Sequence, residues 1–349
     1  MSYTSNSIVA TGKRRLLMLV LVGIVALIIL FLISLAFGPV SMSLGVIWQS
    51  IVNIVSTGPT SGNERIIFNL RLPRVLGAFT VGIGLSVAGV VFQAIIRNPL
   101  VDPYMTGVSS GSGFGASMGM IMAVGALSTY SLFIVPVGAF IGGLLAFSLT
   151  FIVAKGAGGR AIHFVLAGVI TGMAFGSITT MIMMVDDEKT HSILSFLFGS
   201  FTSVGWNNLW LMVVPVTALT ILIFFKAREF NVILLGEEQA KQLGLDVKNF
   251  NLSMLVVASL LTAVCVAFVG IIAFIGLVVP HLARMIVGGD HRLLLPASVI
   301  IGALTMAAAD LVAKLAFAPV ELPVGAIMTL IGVPFFAYLL LKRGKEYAA

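Results

Sequence analysis

Charge is the scarcest ingredient of this sequence: Asp, Glu, Lys and Arg together supply 9% of its 349 residues, against 59% hydrophobic ones. At a mean hydropathy of +1.14, a water-soluble fold would lack the polar residues to cover its surface, so lipid is the expected solvent. Cysteine is nearly missing too. The lone Cys265 lies in an apolar run, which excludes an intrachain disulfide and a cysteine cluster for metal within one chain. No G-x-x-x-x-G-K-[ST] run occurs, so the chain carries no phosphate-wrapping loop of its own. The net charge of +7 does not indicate nucleic acid, because the basic residues are scattered in short clusters between apolar runs rather than gathered with aromatics on one face. Neither a short repeat of fixed period nor a linker between separable domains is visible. Residues 1–349 read as one membrane domain, embedded over 16–341, with 1–15 as a cytoplasmic tail.

Long apolar runs are what the sequence has in abundance. A helix needs about 20 apolar residues to cross a hydrocarbon core of about 30 Å. Ten candidate spans satisfy this, at 16–37, 72–96, 105–125, 132–155, 161–185, 206–226, 252–270, 271–287, 294–317 and 324–341. The stretch 252–287 has almost no charge and, at ~54 Å for one helix, is too long for a single crossing. Gly270 and Gly276 are the candidate turning points. The first run, 16–37, is longer than the apolar core of a signal peptide and has no small-residue cleavage site, so it is expected to be retained. The fold class is therefore an all-α polytopic membrane protein. With ten spans, the clusters around Arg14, Arg97, Lys155 with Arg160, Lys226, Lys241, Arg284 and Arg343 share one side, which the positive-inside rule makes the cytoplasm. Both termini are then cytoplasmic, in the cytoplasmic (inner) cell membrane. Residues 44–55 form an amphipathic piece expected to lie along the outer membrane surface.

Several short blocks carry more than hydropathy. Arg71 and Arg74 flank Pro73 at the outer mouth of the second span, and the sequence NPLVDP at 98–103 leads into GVSSG at 107–111. Arginines at span ends commonly snorkel to headgroups, but outward-facing ones run against the positive-inside tendency and suggest an acidic partner. The segment LLGEEQAKQLGLDV predicts a helix of about two turns, with Glu237 and Glu238 at its N-terminus, Lys241 at pairing distance and Gly244 as its stop. Such a helix is too short to hold alone and needs something to pack against. Gly168, Gly172 and Gly176 recur every four residues, as do Gly111, Gly115 and Gly119, a spacing that lets helix backbones approach closely in lipid. Asp310 stands four residues before Lys314, which permits a local ion pair. Two further blocks are GIIAFIGLVVPH at 270–281 and ELPVGAIMTLIGVPFF at 321–336.

Five of these blocks, in this order from about residue 65 to 341, resemble the permease subunits of the type II ABC importers that carry cobalamin, haem and ferric siderophores. Ile271 stands where that family usually has proline, and Val333 where alanine is common. The resemblance implies a conduit without catalytic residues, cofactor or resident metal. Its cargo would be a metal chelate, ferric siderophore before cobalamin or haem. It further implies a homodimer or pseudo-dimer of permeases, two ATPase subunits and an extracytoplasmic substrate-binding protein. Glu237, Glu238, Ala240 and Gly244 would then form the helix that couples to the ATPase. Arg71 and Arg74 would dock the binding protein, joined by Lys314 where the cobalamin importer carries arginine. Gly168, Gly172 and Gly176 would line the translocation path or serve close helix packing. An ion-coupled secondary transporter is the competing class, with Asp310 as its only candidate carboxylate. An intramembrane hydrolase built on Ser109, Ser110 or Ser112 lacks a base partner.

Overall fold

A computed structural model describes residues 2–38, 40–123, 131–159 and 161–347, and the described residues are helical with no strand. Arg160, one of the expected cytoplasmic charges, and residues 124 and 125 of the third candidate span lie outside them. The first long helix, α1 (Ser2–Ala36), is followed by α2 (Leu44–Thr57), α3 (Gly62–Arg65), a π turn at Ile66–Arg71 and α4 (Leu72–Ile96). A 3₁₀ turn at Pro103–Thr106 precedes α5 (Val108–Met122), α6 (Ser131–Gly156), α7 (Ala161–Val185) and α8 (Asp187–Phe198). Then come α9 (Trp206–Phe225), α10 (Ala227–Ile233), α11 (Glu237–Gln242), α12 (Val247–Val269), α13 (Ile275–Val287), α14 (His291–Leu315) and α15 (Val324–Tyr347).

Seven helical runs are long and apolar enough to cross a membrane: Gly12–Ala36, Gly62–Ile96, Phe133–Gly156, Ile162–Val185, Trp206–Phe225, Val247–Val269 and His291–Leu315. The other three expected spans fall on α5, α13 and α15. Of these α5 has 15 residues and α13 has 13, short of a full crossing. The α4 window is 83% buried and the α1 window 6%, which puts α4 at the centre and α1 at the rim. Exposed Leu17, Leu21, Val25 and Ile28 on α1 are what a lipid-facing helix needs. Helix α2 buries Ile47 against Leu35 and Ile67 while Trp48 and Val55 stay exposed, so both of its apolar faces have a use at a membrane surface.

The helices approach through glycine. A Cβ at Gly89 of α4 would come within 1.9 Å of the Gly276 carbonyl, and one at Gly82 within 2.2 Å of the Gly302 carbonyl. On the α5/α6 pair, Gly115 and Gly138 meet in the same way, at 1.9 Å. In lipid, where apolar side chains gain nothing by leaving the solvent, this close packing holds the bundle together.

Residues 252–287 divide as expected from length, and the break falls at Gly270, whose φ of +75° ends α12. Gly276 is not a turn. It lies inside α13, where its missing side chain makes room for Pro103 Cδ at 2.6 Å. The broken backbone is satisfied from outside its own helices: Ile271 N–H donates to the Phe196 carbonyl at 3.2 Å, and Ile272 N–H to the Tyr104 hydroxyl at 3.2 Å. The Asp102 carboxylate accepts from Tyr104 N–H at 2.9 Å and from the N–H of Phe274, a residue held at φ +70°. Burial pushes the Asp102 carboxyl up to about 6 against those two donors. The NPLVDP turn thus staples the α12–α13 break to the 3₁₀ turn, a buried use of irregular backbone that lipid would not allow.

Candidate functional site

Four of the residues singled out from the sequence converge at one end of the bundle. Arg71 closes the π turn and Arg74 opens α4; Asp310 and Lys314 sit on the last turns of α14, with Glu321 just beyond. Arg74 grips two carboxylates at once. Its Nη2 and Nε reach Asp310 at 2.9 and 3.0 Å, and its Nη1 reaches the Glu321 oxygens at 2.8 and 3.0 Å. The side chains of Arg74 and Asp310 are 12% and 5% exposed. Arg71 donates to the carbonyls of Leu35, Ala36 and Val40, and Lys314 donates to the Ser34 carbonyl at 2.8 Å. Ser34, Leu35 and Ala36 belong to the last turn of α1, where carbonyls lack intrahelical partners and the helix dipole favours positive charge.

Of the readings that competed with docking, neither matches this geometry: Arg71 is buried rather than extended to headgroups, and Lys314 donates to a carbonyl of α1 while the Asp310 carboxylate faces Arg74. Neither partner was visible in the sequence, since each lies on a segment more than 30 positions away. The cluster walls a cavity of about 310 Å³, whose lining includes Gly38 and Leu70 and sets the cations Arg71, Arg74 and Lys314 against the one carboxylate of Glu321.

At the other end, α11 is a six-residue helix, close to the expected two turns. Ala240 is fully buried and anchors it, while Glu238 and Gln239 are exposed. Gly244, at φ +85°, donates to the Lys241 carbonyl at 2.9 Å, and Leu245 N–H to the Ala240 carbonyl at 3.1 Å. That crossed pair of bonds is the Schellman stop, and glycine is the residue that enters it without strain. The Glu237–Lys241 pair spans 3.0 Å with both side chains more than half exposed, so it contributes little to stability.

The α7 glycines are separated by their surroundings. A Cβ at Gly168 would meet the Met105 carbonyl at 1.8 Å, one at Gly172 would sit 3.4 Å from Ser110 Oγ, and one at Gly176 would meet nothing within 4 Å. The stripe begins as packing and ends on an open face, beside exposed Met173, Met181 and Met184. His281, on α13, is buried with its ring edge-on to Phe335 at 6.3 Å.

A bundle of membrane-length helices closed by glycine contacts, with a charge cluster at one end and a short capped helix at the other, is the architecture of a multi-pass transport permease. The FecCD transport family matches residues 26–342, and the chain belongs to that family. The hemin transport system permease protein HmuU of Yersinia pestis is 34% identical over 324 residues, covering 93% of this chain and 95% of that one. The molybdate import system permease protein MolB of Haemophilus influenzae is 34% identical over 326 residues, covering 91% and 94%. Among solved structures, an inward-facing conformation of a metal-chelate type ABC transporter superposes with a TM-score of 0.80 at 31% identity, covering 95% of this chain and 99% of that one.

Proposed function

We propose that this chain is the membrane permease of an ATP-driven importer of a metal chelate, ferric siderophore before cobalamin or haem, in the cytoplasmic (inner) membrane. The observation that carries the reading is α11: a short, exposed helix with a glycine-determined stop, in a chain that the transport family matches from residue 26 to 342. A helix that contributes so little to the bundle is suited to a partner's groove. In this reading one domain of ten spans, with α5, α13 and α15 completing the seven longer runs, places both termini in the cytoplasm. Two copies form a homodimer, each contacting one ATPase subunit through Glu237, Glu238, Ala240 and Gly244. A substrate-binding protein docks outside over the cavity walled by Arg71, Arg74 and Lys314, attracted by its excess of positive charge. The open face of α7 around Gly172 and Gly176 lines the path, where small apolar groups give a large solute a weakly binding wall. HmuU and MolB are equally similar to this chain although named for hemin and molybdate, so the cargo is decided by the binding protein's absorption spectrum: corrin, porphyrin and ferric-siderophore bands differ, and a colourless protein indicates an oxyanion.

Two outcomes test this. Gly244→Pro and Glu238→Arg are expected to leave the permease folded while its ATPase partner no longer co-purifies, because the groove contact loses shape in one case and charge in the other. Wild-type co-purification and transport in both variants would remove α11 from the mechanism. In a Cys265→Ser background, an impermeant thiol reagent applied from outside should label cysteines at positions 60 and 188 but not at 158 or 239. Position 239 is used because Gln239 is exposed whereas Ala240 is buried and would be silent from either side. Labelling at 239 from outside would end the ten-span arrangement.

A further inference from the structure

Behind α11, on the side turned toward the membrane body, lies a cleft of two adjoining cavities of about 370 and 460 Å³. They share Gly159, Phe164, Glu237, Asn251 and Leu255. Its walls are of two kinds. Phe151 and Phe164, in ring contact at 5.8 Å, together with Leu252 and Leu255 make an apolar flank. Lys155, Lys241, Lys248 and Arg97 bring four positive charges against the single carboxylate of Glu237. Lys241 is engaged by Glu237, and Arg97 donates to the Ile233 carbonyl at 3.2 Å. Lys155 and Lys248 are exposed and make no ion pair or side-chain hydrogen bond among the described residues. Asn251, which lines both cavities, holds a buried Oδ1 with no hydrogen-bond partner among the described residues. A buried acceptor is normally paired, so the site asks for a donor as well as an anion.

We infer that this cleft binds the phosphoglycerol headgroup of an anionic phospholipid, its phosphate between Lys155 and Lys248 and a glycerol hydroxyl donating to Asn251 Oδ1. A phosphocholine headgroup supplies the phosphate but no donor, and a free inorganic anion does not use the apolar flank. The lipid source follows from where the cleft lies. The cleft is lined from α6, α7 and α12, all membrane-length helices, at the basic side of the protein, and a basic pocket between such helices is the setting in which anionic headgroups are held. The occupant also touches Glu237 and Lys241 and therefore braces α11 from behind. That consequence for coupling rests on the proposed function, whereas binding itself does not.

The test is lipid retention by the purified full-length permease without any ATPase, followed by native mass spectrometry with phosphatidylglycerol, phosphatidylethanolamine and phosphatidylcholine. Phosphatidylglycerol should be retained most strongly. Lys155→Gln and Lys248→Gln should each weaken it about fivefold, the equivalent of ~1 kcal/mol per lysine near an anionic headgroup, and Lys155→Arg should restore binding. Asn251→Leu, or Asn251→Ala if the former does not fold, should weaken the preference over phosphatidylcholine, leaving only the part due to charge, while the melting temperature does not fall. Equal retention of phosphatidylglycerol and phosphatidylcholine by the wild type would overturn the site. An unchanged preference in both Asn251 variants would overturn the phosphoglycerol assignment, and displacement by low-millimolar glycerol 3-phosphate would overturn the lipid one.

Discussion

Arg74→Gln is expected to lower the stability of the detergent-solubilised protein by about 3 to 5 kcal/mol, the range for removing one partner of a buried ion pair. The size follows from what is left behind. Asp310 and Glu321, 5% and 23% exposed, would face each other with no cation bridging them. Repulsion and desolvation then act on the same two groups. Neutralising the carboxylates as well, with Asp310→Asn and Glu321→Gln in the Arg74→Gln background, should recover most of the loss, since polar amides can satisfy one another without charge. A thermal or denaturant melt checks both arms, and a single variant as stable as the wild type would show that the cluster is hydrated in solution. The triple variant also separates fold from docking. It retains Arg71 and Lys314, so a binding protein that needs the guanidinium of Arg74 will dissociate from a well-folded permease, and one that does not will stay bound.

The second large effect should split the α7 stripe. Gly168→Ala puts a methyl group 1.8 Å from the Met105 carbonyl and 3.0 Å from Thr106 Cα, both backbone atoms rather than flexible side-chain ends that could swing aside. Overpacking of this kind costs about 1 to 3 kcal/mol or more, so a lowered melting temperature and reduced membrane level are expected. Gly176→Leu has open space in front of it and should leave stability unchanged. If the open face carries cargo, transport by the Gly176→Leu variant in proteoliposomes with the ATPase and binding protein should fall severalfold at normal protein levels. Full transport would take this face of α7 out of the path and leave the stripe as packing at Gly168 alone.

The sequence alone settled the features that depend on local composition. Apolar runs of membrane length, the need for a break within 252–287, and a short helix ending at Gly244 were all legible, because length, hydropathy and the αL preference of glycine act within a few residues. The five ordered blocks also sufficed for the family, which matches residues 26–342. Even locally the reading had limits: Gly270 and Gly276 looked equivalent as turns, and the structure distinguishes them, with Gly270 ending α12 at φ +75° and Gly276 inside α13 against Pro103. Arg71, Arg74 and Lys314 were recognisable as unusual charges, yet their partners were not. Ser34, Leu35 and Ala36 offer backbone carbonyls, which every residue possesses, and Asp310 and Glu321 lie more than 200 positions from Arg74. The tertiary structure decided that these cations close the end of α1 and bind α4 to α14, and likewise that Lys155, Lys248 and Asn251 share one cleft. Long-range electrostatics depends on which helix ends are brought together, and that is set by the packing of the whole bundle, not by any one stretch of chain.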